Sequence, residues 1–345
     1  MRKIFFLVLA GWQILAAEAQ SGHTPPYLQK SLAGESIQQV ELGTTGGNIS
    51  VSGVPAAEAR LEVYVRGNHD NEELSKEEIG KRLQEQYELT ISVNDHKLTA
   101  IARPKGKNMN WRQGLTITFK AFVPQAVSSM LKTSGGNINL KNLSGTQEFR
   151  TSGGNLDVDM VSGKLTGRTS GGNISLTDSK DEIDLETSGG NIEAVNCKGN
   201  IKLGTSGGNL TLRLLNGTVH ATTSGGSVGG EAITGELHTA TSGGNIRLRD
   251  LSCSLSASTS AGNIDIEMKD PGKYLNLTNS GGNIALQLPK DKGMDLRLYA
   301  EEVRTSTLNN FKGDSDGKHI EGSINGGGLP VKVDNSGGRI SLSFK

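Results

Sequence analysis

One phrase recurs through this chain on a fixed period. Thr133-Ser134-Gly135-Gly136-Asn137-Ile138 is repeated, with small variations, from Thr151, Thr169, Thr187, Thr205, Thr223, Thr241 and Thr259. Each interval is 18 residues, giving eight copies in register, and a ninth follows at Asn279 after 20 residues. Related phrases stand at Thr45-Gly46-Gly47-Asn48-Ile49 and Ser336-Gly337-Gly338-Arg339-Ile340. Self-similarity at such a period marks a stack of small units, none of which can bury its apolar face alone.

Numbering columns from Asn137, column 2 holds Ile138, Leu156, Ile174, Ile192, Leu210, Val228, Ile246 and Ile264. Column 4 is mostly apolar, column 7 holds residues such as Leu143 and Cys197, and columns 11 and 13 are apolar-biased, as in Ile183 and Leu185. Alternation at period two reads as strand. Each unit is therefore expected to be two short strands, with a turn at the column 9 glycine and another at Ser-Gly-Gly. Stacked units then give an all-β fold, a β-solenoid with 18-residue coils and a narrow core filled coil by coil. Thr in column 15 shares the inward parity. The corner glycines are expected to supply positive φ. Asn137, Asn155, Asn173, Asn191, Asn209, Asn245 and Asn263 fall in one column and are expected to form a side-chain amide ladder.

The flanks read differently. Residues 1–19 look like a signal peptide, with Arg2 and Lys3 before an apolar run and Ala17-Glu18-Ala19 at its end. The run is too short to favour a membrane anchor, and export is the expectation. Residues 20–39, with Pro25 and Pro26, read as a flexible lead-in. Residues 40–130 read as a β-rich N-terminal cap with one helical insertion: Ser75 and Glu78 form a capping-box pattern before Ile79 and Leu83. A hairpin is expected around Asn94-Asp95. Residues 131–288 are the solenoid, and 289–345 a C-terminal cap that blocks further stacking.

Composition limits the partners. The chain carries 36 Lys+Arg and 36 Asp+Glu; without Arg2, Lys3 and Glu18 that becomes 34 against 35. Such a balance supplies no long-range field to gather nucleic acid. Cys197 and Cys253 lie about three repeats apart, hence about 14 Å apart at strand spacing, too far for a disulfide.

The Ser-Gly-Gly-Asn-Ile units over about Val40 to Lys345, with the Val123-Pro124 step before the first registered copy, resemble a bacterial adhesin-like family often described as a domain of unknown function. The resemblance implies a right-handed β-helix of the cell envelope, in some members beside genes of envelope-stress signalling. It implies no catalytic residues and no cofactor.

Candidate chemistry is sparse. Gly-Gly-Asn turns lack the Asp column of calcium-binding repeats. The Thr column faces inward, which argues against a flat crystal-binding array. His220 and His238 share column 12 in adjacent coils, and Glu236 lies on the same face; this trio is the candidate transition-metal site. Glu148, Arg150, Arg168, Asp184 and Glu186 are the outward charges a carbohydrate-cleaving site would draw on, yet their signs alternate as on a solvated face. The reading that follows is an exported, non-catalytic, adhesin-like module in the periplasm, on the outer surface or secreted, contacting an envelope protein or surface glycan. The alternative is a polysaccharide-processing β-helix lyase or hydrolase.

Overall fold

The computed structural model describes residues 25–68, 74–106, 114–308 and 310–345. The signal-peptide segment lies outside the described residues.

Each repeat delivers one strand to each of two facing parallel sheets. In the first sheet Ile174–Thr177, Ile192–Val195, Leu210–Arg213 and Val228–Glu231 follow one another. In the second, Lys180–Glu186, Lys198–Gly204, Asn216–Thr222 and Thr234–Ala240 do the same. Ile174 lies beside Ile192, Ile192 beside Leu210 and Leu210 beside Val228, so the pairing register equals the sequence period. Parallel neighbours need a crossover, and here the opposite sheet provides it. In Ile138–Arg150, Leu156–Arg168 and Ile246–Thr259 one long bent strand serves both sheets.

Alternation sends columns 2, 4, 11 and 13 into the space between the sheets. Ile174, Leu176, Ile183 and Leu185 are each buried to 1% exposure or less. Every coil thus adds one apolar layer, and each layer is closed only by its neighbours. Burying an aliphatic side chain is worth roughly 1.5–3 kcal/mol, so a four-residue layer holds the stack together cooperatively.

The Ser-Gly-Gly corner works differently from the expectation. None of Gly136, Gly154, Gly172, Gly190, Gly208, Gly226, Gly244 or Gly262 has positive φ. The second glycine is required by close approach instead. A Cβ on any of these eight would lie 1.9–2.0 Å from the carbonyl oxygen of the glycine one coil below. The first glycine has no such restriction: at Gly171 the nearest atom to a Cβ is 3.8 Å away, and Ala261 occupies that position in one coil. Thr is buried beside the corner. Thr169 Oγ1 donates to Gly154 O at 2.8 Å and accepts from Gly172 N at 3.3 Å. Asn279 and Asn335 take the Thr place in later coils, their Nδ2 donating to Gly262 O and Gly282 O at 2.9 and 3.0 Å.

The mid-coil bend also differs. It is made in two steps, not at the column 9 glycine alone. Column 6 residues Asn142, Met160, Asp178, Asn196, Leu214, Ala232 and Asp250 all take φ between 50° and 55°. Then Gly145, Gly163, Gly199, Gly217 and Gly235 take φ between 100° and 127° inside the second strand. The column 7 side chain points inward between the two bends. Left-handed backbone costs roughly 1–2 kcal/mol for a residue with a Cβ, which Asn and Asp tolerate best; at Met160 and Leu214 the stack enforces it.

The two ends are interleaved. Gln39–Gly43 lies between Lys97–Pro104 and Ser128–Lys132, and Ile49–Gly53 between Leu115–Val123 and Ile138–Arg150. At the other end Leu329–Asn335 lies between Leu275–Asn279 and Met294–Tyr299, and Arg339–Phe344 between Ile284–Leu288 and Glu302–Thr305. The segments read as caps, 40–130 and 289–345, thus each contribute a coil to the stack itself. Antiparallel strands close the outside: Tyr87–Asn94 and Arg60–Gly67 at one end, His319–Ile324 and Phe311–Ser315 at the other. Helix α1 (Lys76–Gln86) packs on the first end with Ile79 and Leu83 buried, and Ser75 Oγ accepts from Glu78 N as the cap. The hairpin turns at Asp95-His96, both left-handed, one residue later than expected.

The lead-in needs correction. Within 25–39, Leu28–Ser31 is an edge strand paired antiparallel with Arg60–Val63, and Leu32 and Ile37 are buried. Two apolar anchors were enough to order a stretch whose prolines pointed to a linker.

The glycine asymmetry is testable. Gly171→Ala should leave thermal unfolding nearly unchanged, whereas Gly172→Ala should destabilise by about 1–3 kcal/mol, the usual scale of overpacking. Denaturant unfolding of both variants measures the contrast; equal losses would refute the close-approach account.

Candidate functional site

The solvent-facing columns stack side chains in rows along each sheet. The Asn column forms a ladder, but with the backbone and not between amides. Asn137 Oδ1 accepts from Asn155 N, Asn155 Oδ1 from Asn173 N, Asn173 Oδ1 from Asn191 N and Asn191 Oδ1 from Asn209 N, each at 2.8 Å. Ser227 interrupts the amides yet keeps the chain, its N donating to Asn209 Oδ1 and its Oγ accepting from Asn245 N. Asn245 Oδ1 then serves Asn263 N at 2.8 Å. This row is structural cement for corners whose amides the sheets leave unpaired.

His220, His238 and Glu236 do come together. The two imidazoles are stacked with centroids 4.7 Å apart and planes 4° from parallel. His238 Nε2 lies 3.0 Å from Glu236 Oε1. A fourth member was missed from the sequence: Tyr274 donates its hydroxyl to the same Oε1 at 2.6 Å. As placed, the trio does not converge on one point. Parallel stacking prevents the two rings from converging on one ion, and the carboxylate oxygen is already taken by the phenol. Among the described residues no group of three His, Cys, Asp or Glu side chains could hold a metal. Tyr274 went unseen because the 20-residue interval shifts its register: Leu275 pairs with Leu255, so Tyr274 stands level with Ser254 and reaches across it to Glu236.

The cluster has a defined charge balance. Hydrogen bonds from Tyr274, then His238, hold the Glu236 carboxyl below its ordinary range. Burial, then the Glu236 contact, pushes the Tyr274 phenol up to about 12.

The charges weighed for catalysis neutralise one another. Arg168 Nη2 lies 2.8 Å from Asp184 Oδ2 and its Nε 3.2 Å from Glu186 Oε2. Lys202 Nζ reaches Glu186 Oε1 at 3.0 Å, and Arg150 pairs with Glu148 at 3.4 Å. This is a surface ion-pair lattice of small net energy.

Two shallow grooves interrupt the faces, each over an outward glycine. One, of about 560 Å³, lies on the first sheet over Gly229. Its arginines are all engaged, Arg213 with Glu193 and both Arg247 and Arg249 with Asp265. The other, of about 600 Å³, lies on the second sheet over Gly43, beside Ile101 and Met130.

Cys197 and Cys253 are free and buried. Cys253 stands where neighbouring coils have the column 9 glycine, beside Gly235, and burial pushes its thiol up to about 12. No helix among the described residues is long and apolar enough to cross a membrane.

The model of the Toastrack DUF4097 family matches residues 177–343, from the third coil to the last strand. No curated protein matches the chain. A crystal structure of a proposed cell adhesion protein from Clostridium sporogenes ATCC 15579 aligns over 92% of this chain and 98% of its own, at 13% identity and a TM-score of 0.19. A likeness at that score carries no structural argument.

Two outcomes check this description. The Tyr274 phenol is favoured neutral by the fold, so the cluster's contribution is present below pH about 10 and lost as pH rises through about 12. Subtracting the ultraviolet pH titration of Tyr274→Phe from that of the parent should isolate one phenol with a midpoint near 12; a midpoint at the ordinary value would dismiss the Glu236 contact. Both cysteines should resist a thiol reagent in the native protein and react on unfolding.

Proposed function

We propose that this chain is an exported, non-catalytic, adhesin-like module of the bacterial cell envelope, offering an extended solenoid face to a protein or glycan. The observation that carries the reading is the pair of parallel sheets whose outward rows vary along the stack while the inward columns and corners repeat. In the row Glu148, Thr166, Asp184, Lys202, His220, His238 successive side chains lie in register on parallel neighbours. The inward columns and corners carry the fold, leaving this row free to vary, and it changes at every step but the last, which suits contact with an extended partner. The match of residues 177–343 to a domain of unknown function is compatible with that role. The resemblance of the Ser-Gly-Gly-Asn-Ile units to adhesin-like proteins supports it.

The rival reading is a polysaccharide lyase or hydrolase. It needs a carboxylate or base free to move a proton at a bound sugar. The carboxylates that the sequence offers for it, Glu148, Asp184 and Glu186, are instead committed to ion pairs, and Glu236 to Tyr274. A glycan array and a panel of extracted envelope proteins, run beside a polysaccharide-cleavage screen, test the choice. Retention of a glycan or protein without turnover is the expected result; cleavage of any polymer would transfer the chain to the rival class.

A further inference from the structure

The groove over Gly43 sets cations beside aliphatic side chains at the surface. Gly43 is on Gln39–Gly43, flanked by Ile101 on one side and Lys132 on the other. Its backbone does not require glycine. Its φ is not positive, and an added Cβ would meet Ile101 Cγ2 at 3.6 Å and Lys132 O at 4.0 Å, ordinary contacts. Gly47, four residues on, is the contrast: a Cβ there would lie 1.9 Å from Ile117 O. Glycine weakens a strand interior, so the fold gains nothing from Gly43; what the residue leaves is an open position on the surface.

That opening is a trough two strand spacings wide, about 9.6 Å, over residues 41–45. One wall carries Ile101 and Arg103, the other Met130 and Lys132, with Arg150 beyond. Met130 is 55% exposed, one of the few large apolar side chains left in solvent. Glu41 is held by Lys97 at 2.6 Å and Glu148 by Arg150 at 3.4 Å. Arg103 and Lys132 have no carboxylate partner among the described residues. The trough therefore joins two cations outside any ion pair among the described residues to two aliphatic side chains, with Glu88 across the strand from Arg103. The Gly229 groove lacks the free cations, since Arg213, Arg247 and Arg249 are all engaged.

We propose that the Gly43 trough is a binding site for a small amphiphilic anion, a single short alkyl chain bearing a carboxylate or sulfate. The charged end sits between Arg103 and Lys132, and the alkyl chain lies along the floor against Ile101 and Met130. The trough is wide enough for one chain only. The proposal goes beyond the extended-surface reading, because it concerns a separate ligand and does not depend on a glycan or protein partner.

Calorimetric titration of the mature chain with octanoate and octyl sulfate, beside octanol, tests it. Both anions should bind and octanol should not, with affinity falling as salt is raised. Lys132→Glu and Arg103→Glu should each weaken octanoate at least tenfold. Gly43→Val should do the same with no loss of thermal stability, since a Cβ there meets only ordinary contacts and glycine is the weaker strand residue. Gly229→Val, in the other groove, should leave binding intact. Absence of binding, equal binding of octanol, or equal losses from Gly229→Val would overturn the assignment.

Discussion

Everything in this molecule rests on how closely one coil can approach the next at the Ser-Gly-Gly corner. The second glycine of each corner is so near the carbonyl below it that no side chain fits. The buried Thr then bonds that carbonyl and its own coil's glycine amide, so the tightest backbone contact is also fully hydrogen-bonded. Because a buried amide or carbonyl left unpaired is expensive, this arrangement locks the spacing and register at one end of every coil. The two sheets inherit that register, and the apolar columns meet their counterparts as a consequence.

The same economy explains where variation is allowed. Corners and inward columns are constrained by contact with the coils above and below. Outward columns are constrained only by their neighbours' charge, and the Arg168–Asp184–Glu186–Lys202 lattice shows that constraint being met. Departures from it stand out: the Tyr274–Glu236–His238 cluster, which spans three coils, and the trough at Gly43, where cations and aliphatic side chains remain open.

The ends pose the general problem of a stacked sheet, which is how to stop. Here the coil at each end connects to its neighbour in the stack through intervening antiparallel strands, and those strands form the outermost edges. Reversed strands present a hydrogen-bond pattern unlike the parallel stack, which discourages addition of another coil. Helix α1 covers the remaining apolar layer at one end.

The sequence by itself determined the stack, because an 18-residue period with inward parity at columns 2, 4, 11 and 13 admits no other way to bury those side chains. It also determined that Cys197 and Cys253 remain free, since their separation follows from strand spacing. The role of the corner glycines was misread, because composition cannot distinguish a glycine needed for φ from one needed for clearance. The left-handed bend at column 6 was partly visible in Asn142, Asp178, Asn196 and Asp250, but Met160 and Leu214 hid it. Only the tertiary structure decided the interleaved ends, the edge strand Leu28–Ser31, the place of Tyr274 beside Glu236, and the meeting of Gly43, Ile101 and Lys132. Those contacts join segments far apart in the chain, outside the repeat, where no period carries information about which strand will lie beside which.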